Sequence, residues 1–427
     1  MEVSRLTTAP HPPRVFVTGI GLVTGLGWGR EATWSALRAG RSAARVIEVP
    51  GLDGDRPWVG FPVAGPRERC GVDELLDRAF EEAWGDSRLA GCRFDRGRVA
   101  VLIGRSKGSA PHLAALRSAL LDGRGDEEQA ARLWWGFWPN AGASRVATAY
   151  GLLGPCLAPI AACATGLVAA LQGADLIRRG ACDLALVGAV DASLEPLWLA
   201  AFRQMRVLAP LGWGDDPTRA VRPWDRRRSG FLVGEGAAVL VLEHEDHARS
   251  RGALPYAELA GGALGSDAHH LIDLNADPSG LAHVLHRALS AAGLSAAEID
   301  HVNVHGTATR PNDPLECRAL RLALGPHAER VSCSANKAQI GHLLGAAGAA
   351  ELALTCLALR DGFVPPTLNL TDPDPACNLD GTPLVGRSRE IRAALKVSIG
   401  FGGHLAAAVL RRPQGMRRGP TSDPEQG

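Results

Sequence analysis

The chain has 427 residues, with 46 basic and 45 acidic side chains and a net charge of +1, which excludes a general attraction to nucleic acid or to an anionic membrane. Hydrophobic residues make up 46% and charged residues 21%, enough to bury a large core without disulfides or structural metal. The nine cysteines contain no C-x-x-C pair, so reduced thiols and a cytoplasmic setting are expected, with no bound metal.

In chain order, residues 1–13 read as a frayed tail. Arg14 to Gly19 is a buried strand ending in a glycine turn. Val15 to Gly27 is too glycine-rich for a secretory segment, and no apolar run reaches the roughly 18 residues of a membrane span. Gly19-x-Gly21-x-x-x-Gly25 misses the dinucleotide spacing and has no acidic ribose partner. Val72 to Trp84 is helix-periodic, with Val72, Leu75, Leu76, Ala79, Phe80 and Ala83 on one face. Val99–Gly104 is a strand. The run Trp134–Trp138 reads as core or dimer contact more readily than as a binding strip.

Ala164 to Arg179 is helical and Asp183–Gly188 is the strand after it, an α/β alternation. Gly236–Glu243 is another buried strand. A second half opens near Tyr256, with a helix over 280–292. Asp300–His305 is a strand that carries His305 at its end. His342 opens a long apolar helix expected over 343–360. Ala394–Gly400 is a late strand, followed by Gly400-Phe401-Gly402-Gly403, and residues 413–427 form a second tail.

The chemistry concentrates at Cys163, His305 and His342. Cys163 ends an apolar segment where a helix begins, a place that favours the thiolate and is expected to lower the pKa below about 8.5. Small neighbours, Ala162, Ala164 and Gly166, leave room for a bulky thioester. A lone cysteine here would be a core residue; the frame around it favours a nucleophile. Neutral imidazoles at His305 and His342 could donate N–H to a developing enolate oxygen.

These residues sit in motifs that together resemble a known family. The motifs are Val17-Thr18-Gly19-Ile20-Gly21, Ala162-Cys163-Ala164-Thr165-Gly166, Arg222-Pro223-Trp224-Asp225, and Gly234-Glu235-Gly236. They continue with His305-Gly306-Thr307, Asn312-Asp313, Glu316, Lys337, Gly341-His342, Gly345-Ala346-Ala347-Gly348, Glu351 and Gly400-Phe401-Gly402-Gly403. Over residues 14–411 the chain resembles beta-ketoacyl-[acyl-carrier-protein] synthases of the I/II type, in the thiolase superfamily.

The resemblance implies a thiolase-like five-layer αβαβα fold of two pseudo-duplicated halves. Residues 14–255 would carry the cysteine and 256–411 both histidines. It implies decarboxylative Claisen condensation of a malonyl thioester with an acyl group held on Cys163, in fatty acid or related acyl-chain synthesis. His305 and His342 would promote decarboxylation, and the amides of Cys163 and Phe401 would form the oxyanion hole. Lys337 and Glu351 would support the histidines, and Phe401 would gate the acyl space. Thr307, Thr309, Phe202 and Asp267 would contact substrate, Asp267 from a second gating loop, 265–270. No cofactor is bound; substrates ride on the phosphopantetheine arm of an acyl carrier protein. The partner is a second copy or a ketosynthase paralogue.

Departures from the pattern are Ala161 for a usual threonine, Val397 and Ile399 near the late glycine turn, and Leu405 for a usual asparagine. Lys107 falls near positions the family uses to shape the acyl space. They leave open a specialised polyketide or polyene ketosynthase, and a non-condensing chain-length partner, which usually lacks the cysteine. Arg67, Arg69, Arg203 and Arg206 are candidate docking cations for an acidic carrier.

Overall fold

Strand alternation in the sequence dictates sheets buried on both faces. In the computed structural model, which describes residues 13–52, 56–63, 70–122 and 125–414, that is what forms. The first half supplies β1 (Val15–Thr24), β2 (Val99–Gly104), β3 (Cys156–Leu157), β4 (Leu184–Asp191) and β5 (Gly236–His244), in sheet order β1-β5-β4-β2-β3. The second supplies β6 (Ala257–Ser266), β7 (His301–Asn303), β8 (Ser332–Ser334), β9 (Ala393–Gly400) and β10 (His404–Arg411), in order β6-β10-β9-β7-β8. The two windings correspond strand for strand. They join into one eleven-stranded sheet, counting the short strand Gly27–Trp28, where Phe16 pairs with Glu258 and Val17 with Ala257.

The layers follow from which alternate residues face where. On β4, Leu184, Leu186 and Val190 pack outward with α1 (Val72–Ser87), while Ala185, Val187 and Ala189 pack inward. The inward face meets two central helices, α2 (Thr165–Arg178) and, from the second half, α5 (Ala347–Asp361). On β10, Ala406, Ala408 and Leu410 face the same central layer, and Leu405, Ala407 and Val409 face α3 (Ser279–Ala292) and α4 (Asn312–Leu324) outside. This is the expected αβαβα arrangement. It also explains why Ala347–Leu359 is buried all round: a helix between two sheets has no wet face.

Three readings change. The glycines Gly19 and Gly21 serve packing: a Cβ on Gly21 would lie 1.7 Å from the Ala79 carbonyl oxygen of α1. The expected helix over 343–360 begins only at Ala347, because Leu344 takes a positive φ of 48° and a 3-10 turn, Leu344–Ala346, intervenes. Trp134, Trp135 and Trp138 are not core; they are 49%, 60% and 38% exposed at the end of the helix Glu127–Phe137. Most of both tails lies outside the described residues. Among the described residues no helix is long and apolar enough to cross a membrane.

The glycine contact makes a direct prediction. Gly21→Ala forces α1 away from β1 and is expected to cost about 3 kcal/mol. A urea midpoint equal to that of the wild type would contradict this packing.

Candidate active site

Cys163 sits in the 3-10 turn Ala162–Ala164 that leads into α2. Ala162 holds a φ of 47°, a value that non-glycine residues rarely adopt. Thr165 fixes the turn: its hydroxyl accepts from the Ala161 amide at 2.9 Å and donates to the Ala162 carbonyl at 2.8 Å. Gly400 lets β9 approach closely, since a Cβ there would meet the Ala161 carbonyl oxygen at 2.5 Å. The next amide, that of Phe401, faces the Cys163 sulfur.

His342 is held by its backbone, which donates to Leu232 O at 2.9 Å and accepts from Gly234 N at 3.0 Å. Its ring packs edge-on against Phe231 at 4.9 Å, and Nε2 lies 3.1 Å from Cys163 Sγ. His305 stands two residues beyond β7. Glu316 of α4 accepts from the amides of His305 at 2.6 Å and Gly306 at 2.9 Å, so one buried carboxylate sets that turn. The two imidazoles are 5.5 Å apart and nearly perpendicular. Neither Nδ1 has a hydrogen-bond partner among the described residues, so no contact pins either tautomer.

Beneath them lies a buried ion cluster. Lys337 Nζ donates to Glu351 Oε1 at 2.6 Å and to the His305 carbonyl oxygen. Lys396 approaches Glu351 Oε2 at 2.8 Å. The expected support by Lys337 and Glu351 thus has a visible route to His305. Lys396 was not anticipated; the available signal was one lysine inside the otherwise uncharged stretch Ala393–Gly400.

Burial decides the protonation states. It pushes the Cys163 thiol up to about 11, against the opposing charges of Lys337 and Lys107 and the Phe401 amide. The expected lowering at a helix start is therefore reversed: desolvation outweighs the favourable charges. Burial, then the Lys337 charge, holds both histidines well below their usual range. The resting site is a neutral thiol between neutral imidazoles. It can pass the thiol proton to a ring nitrogen and offer N–H donors to an oxyanion.

A cavity of about 1000 Å³ opens from these groups to the surface. Thr307 and Thr309 line it, their hydroxyls 3.0 Å apart, as does Phe401. Phe202, expected to contact substrate, is absent from the lining; it packs beside the apolar cluster around Cys163, with its ring 6.0 Å from that of Phe231. Asp267 does not line the cavity; its amide is tied to Gly403 O at 3.0 Å, and Ile272, Asp273 and Leu274 from its loop line the wall instead. Arg203 and Arg206 line the cavity, with Arg56 and Arg310, while Arg67 and Arg69 lie outside the described residues. Lys107 is absent from this lining. Its ammonium donates to Ser106 Oγ at 2.7 Å and pairs with Asp191 at 3.4 Å. Among the described residues no cluster of metal-binding side chains occurs.

Comparison with known proteins shows the family and the fold. The family model for "Beta-ketoacyl synthase, N-terminal domain" matches residues 71–248, and that for the C-terminal domain matches residues 256–371. The chain is 37% identical to the tetracenomycin polyketide synthase ketoacyl synthase alpha subunit of Streptomyces glaucescens, over 95% of this chain and 98% of that protein. It is 34% identical to 3-oxoacyl-[acyl-carrier-protein] synthase 2 of Coxiella burnetii, over 93% and 98%. Among solved structures it resembles a type II polyketide ketosynthase, bound to the hexaketide and in complex with its acyl-carrier protein. The TM-score is 0.87 with 31% identity, over 94% of this chain and 99% of that one. The ishigamide ketosynthase/chain length factor gives 0.83 and 30%, over 94% and 99%.

The raised thiol predicts a pH profile. Iodoacetamide should modify Cys163 slowly at pH 7, with the rate rising about tenfold per pH unit until the thiol titrates. Peptide mass spectrometry reads the site directly; a plateau already reached at pH 7 would show an ionised resting cysteine.

Proposed function

Because the chain belongs to the beta-ketoacyl synthase family of condensing acyltransferases, we propose that it is the condensing subunit of a type II polyketide or polyene synthase. The observation that carries the reading is the Cys163 sulfur 3.1 Å from His342 Nε2, with the His305 ring 5.5 Å from that of His342, in a cavity of about 1000 Å³. The matches to polyketide ketosynthases at up to 38% identity favour this pathway over the fatty acid or related acyl-chain synthesis that the resemblance implied. Elongation of fatty acids is the second reading, favoured by the Coxiella relative. A purely non-condensing role is opposed by the intact cysteine and both histidines.

The reaction runs in two transfers. Cys163 attacks the acyl thioester of a carrier; its proton moves by way of His342 Nε2 to the departing carrier thiol, leaving an acyl-cysteine. A malonyl thioester then enters past Thr307 and Thr309. Its carboxylate leaves as carbon dioxide, and the electron pair becomes an enolate whose oxygen accepts N–H from His305 and His342. The enolate carbon attacks the acyl carbonyl, whose oxygen faces the amides of Cys163 and Phe401. Collapse expels the Cys163 thiolate, which recovers a proton, and releases the 3-oxoacyl carrier. Arginines at the cavity mouth, Arg203 and Arg206, suit the phosphodiester of the arm and the acidic face of a carrier.

The partner is a ketosynthase-type subunit seated on the open edge of the sheet. β3 is the terminal strand, and Leu153, Leu157 and Ile160 around it are 78%, 46% and 54% exposed. An uncovered strand edge with apolar flanks calls for pairing. Ile160 is three residues from Cys163, so this contact also bears on the nucleophile turn.

Cys163→Ala should abolish 3-oxoacyl formation, whereas His305→Ala and His342→Ala should each lower carbon dioxide release from malonyl-carrier by about 10²–10³. Labelled carbon dioxide and intact-protein mass separate the two steps; product formation by the cysteine variant would end the assignment. Leu157→Arg should weaken association with a co-expressed ketosynthase paralogue in light scattering. An unchanged complex would place the interface elsewhere, and a stable complex of this chain with itself alone would favour the homodimer.

A further inference from the structure

β9 carries one charge in an apolar strand. Leu395, Val397 and Ile399 face the outer core, while Ala394 faces the central layer, and Lys396 shares its side of the strand. Lys396 has no exposed side-chain surface. Its ammonium meets Glu351 Oε2 at 2.8 Å and donates to the Val397 carbonyl oxygen. The other oxygen of Glu351 already holds Lys337 at 2.6 Å. One carboxylate would suffice for one lysine, and burying a further ammonium is costly. The second cation therefore calls for an explanation beyond pairing.

Among the described residues, three charged groups act most strongly on Lys396. Glu351 comes from α5, Lys337 from the turn before His342, and Glu316 from α4. The oxygens of Glu316 are engaged by the His305 and Gly306 amides, and burial pushes its carboxyl up to about 7. His301, His305 and His342 all feel the Lys396 charge, and Lys107 also faces His342.

We propose that Lys396 is a positioning residue: as the second cation on Glu351, it gives the Lys337–Glu351–Lys396 cluster one net positive charge beneath the two imidazoles. That charge adds to the burial that keeps His305 and His342 as neutral hydrogen-bond donors, and it favours negative charge on the substrate oxygen they face. The substrate half of this inference rests on the ketosynthase reading; the histidine half does not. Two positive groups against one negative leave the excess, and removing Lys396 cancels it while leaving the Lys337–Glu351 pair whole.

The test is a charge-restoring pair of variants. Lys396→Met makes the cluster neutral; Lys396→Met with Glu351→Gln returns it to one positive charge, on Lys337 alone. Titration of ¹³Cε1-labelled histidines, with His305 and His342 assigned by substitution, needs no substrate. A unit charge about 10 Å away at an effective dielectric of ~20 moves a titration by about one unit. The single variant should therefore raise both midpoints by about one unit and slow malonyl decarboxylation about tenfold. The double variant should bring the midpoints back. Unmoved midpoints in the single variant, or a shift that the double variant does not reverse, overturn the inference, since a packing role would not be rescued by a second disruption. If the single variant does not fold, wild-type midpoints in the double variant support the proposal and raised ones overturn it. A wild-type chain that titrates as expected but releases no carbon dioxide would refute the ketosynthase reading and leave the histidine half standing.

Discussion

Two central helices meet with almost nothing between them, and the site depends on that meeting. A Cβ on Gly166 would lie 2.5 Å from the Ala349 amide, and one on Gly348 would lie 2.7 Å from the Leu167 amide. The first turns of α2 and α5 therefore touch backbone to backbone. Cys163 precedes α2 by two residues and His342 precedes α5 by five. Bringing the helix starts together brings a thiol from one half of the chain onto an imidazole from the other. The glycines and alanines around both residues are the means of approach, and any larger side chain would separate the reacting groups.

The same burial sets the electrostatics. A site walled by both windings of the sheet and two helices is deeply buried, so charged forms are expensive unless paired. The thiol and both imidazoles stay neutral for that reason. The charges that do exist are held in contact with other groups: Lys337 and Lys396 share Glu351, with one positive charge in excess, and Glu316 accepts from two amides. Lys107 and Asp191 form a second ion pair, which Ser106, Ser193 and the Gly345 amide complete on the carboxylate. These fixed charges act on a reaction in which negative charge appears only transiently, where oriented groups in a low-dielectric site have the most effect.

The cavity joins this buried interior to a wet surface. Its inner end carries the thiol and imidazoles, its middle the paired hydroxyls of Thr307 and Thr309, and its mouth the arginines. Phe401 belongs to the inner end, where its amide faces the sulfur and its side chain lines the wall. A motion of this glycine-flanked residue would therefore change the amide beside the sulfur and the cavity together.

The sequence by itself determined the α/β class and marked out the candidate residues, while the five-layer arrangement came with the family resemblance. Continuous apolar strands, a long apolar helix and small-residue frames are local signals, and Cys163, His305 and His342 stand in such frames; Lys337 and Glu351 were legible only through the resemblance. Tertiary structure alone decided the rest. Spacing could not show that helix α5 starts at Ala347, because Leu344 adopts its positive φ only where the chain must leave His342 beside the thiol. The thiol pKa went opposite to the helix-start expectation, because local sequence reports the nearby amides but not the depth of burial. Asp267 was legible as a loop residue but not as one turned toward Gly403. Lys396 was silent for the same reason: an isolated lysine in a strand acquires meaning only when its partner, Glu351 on α5, arrives from elsewhere in the fold.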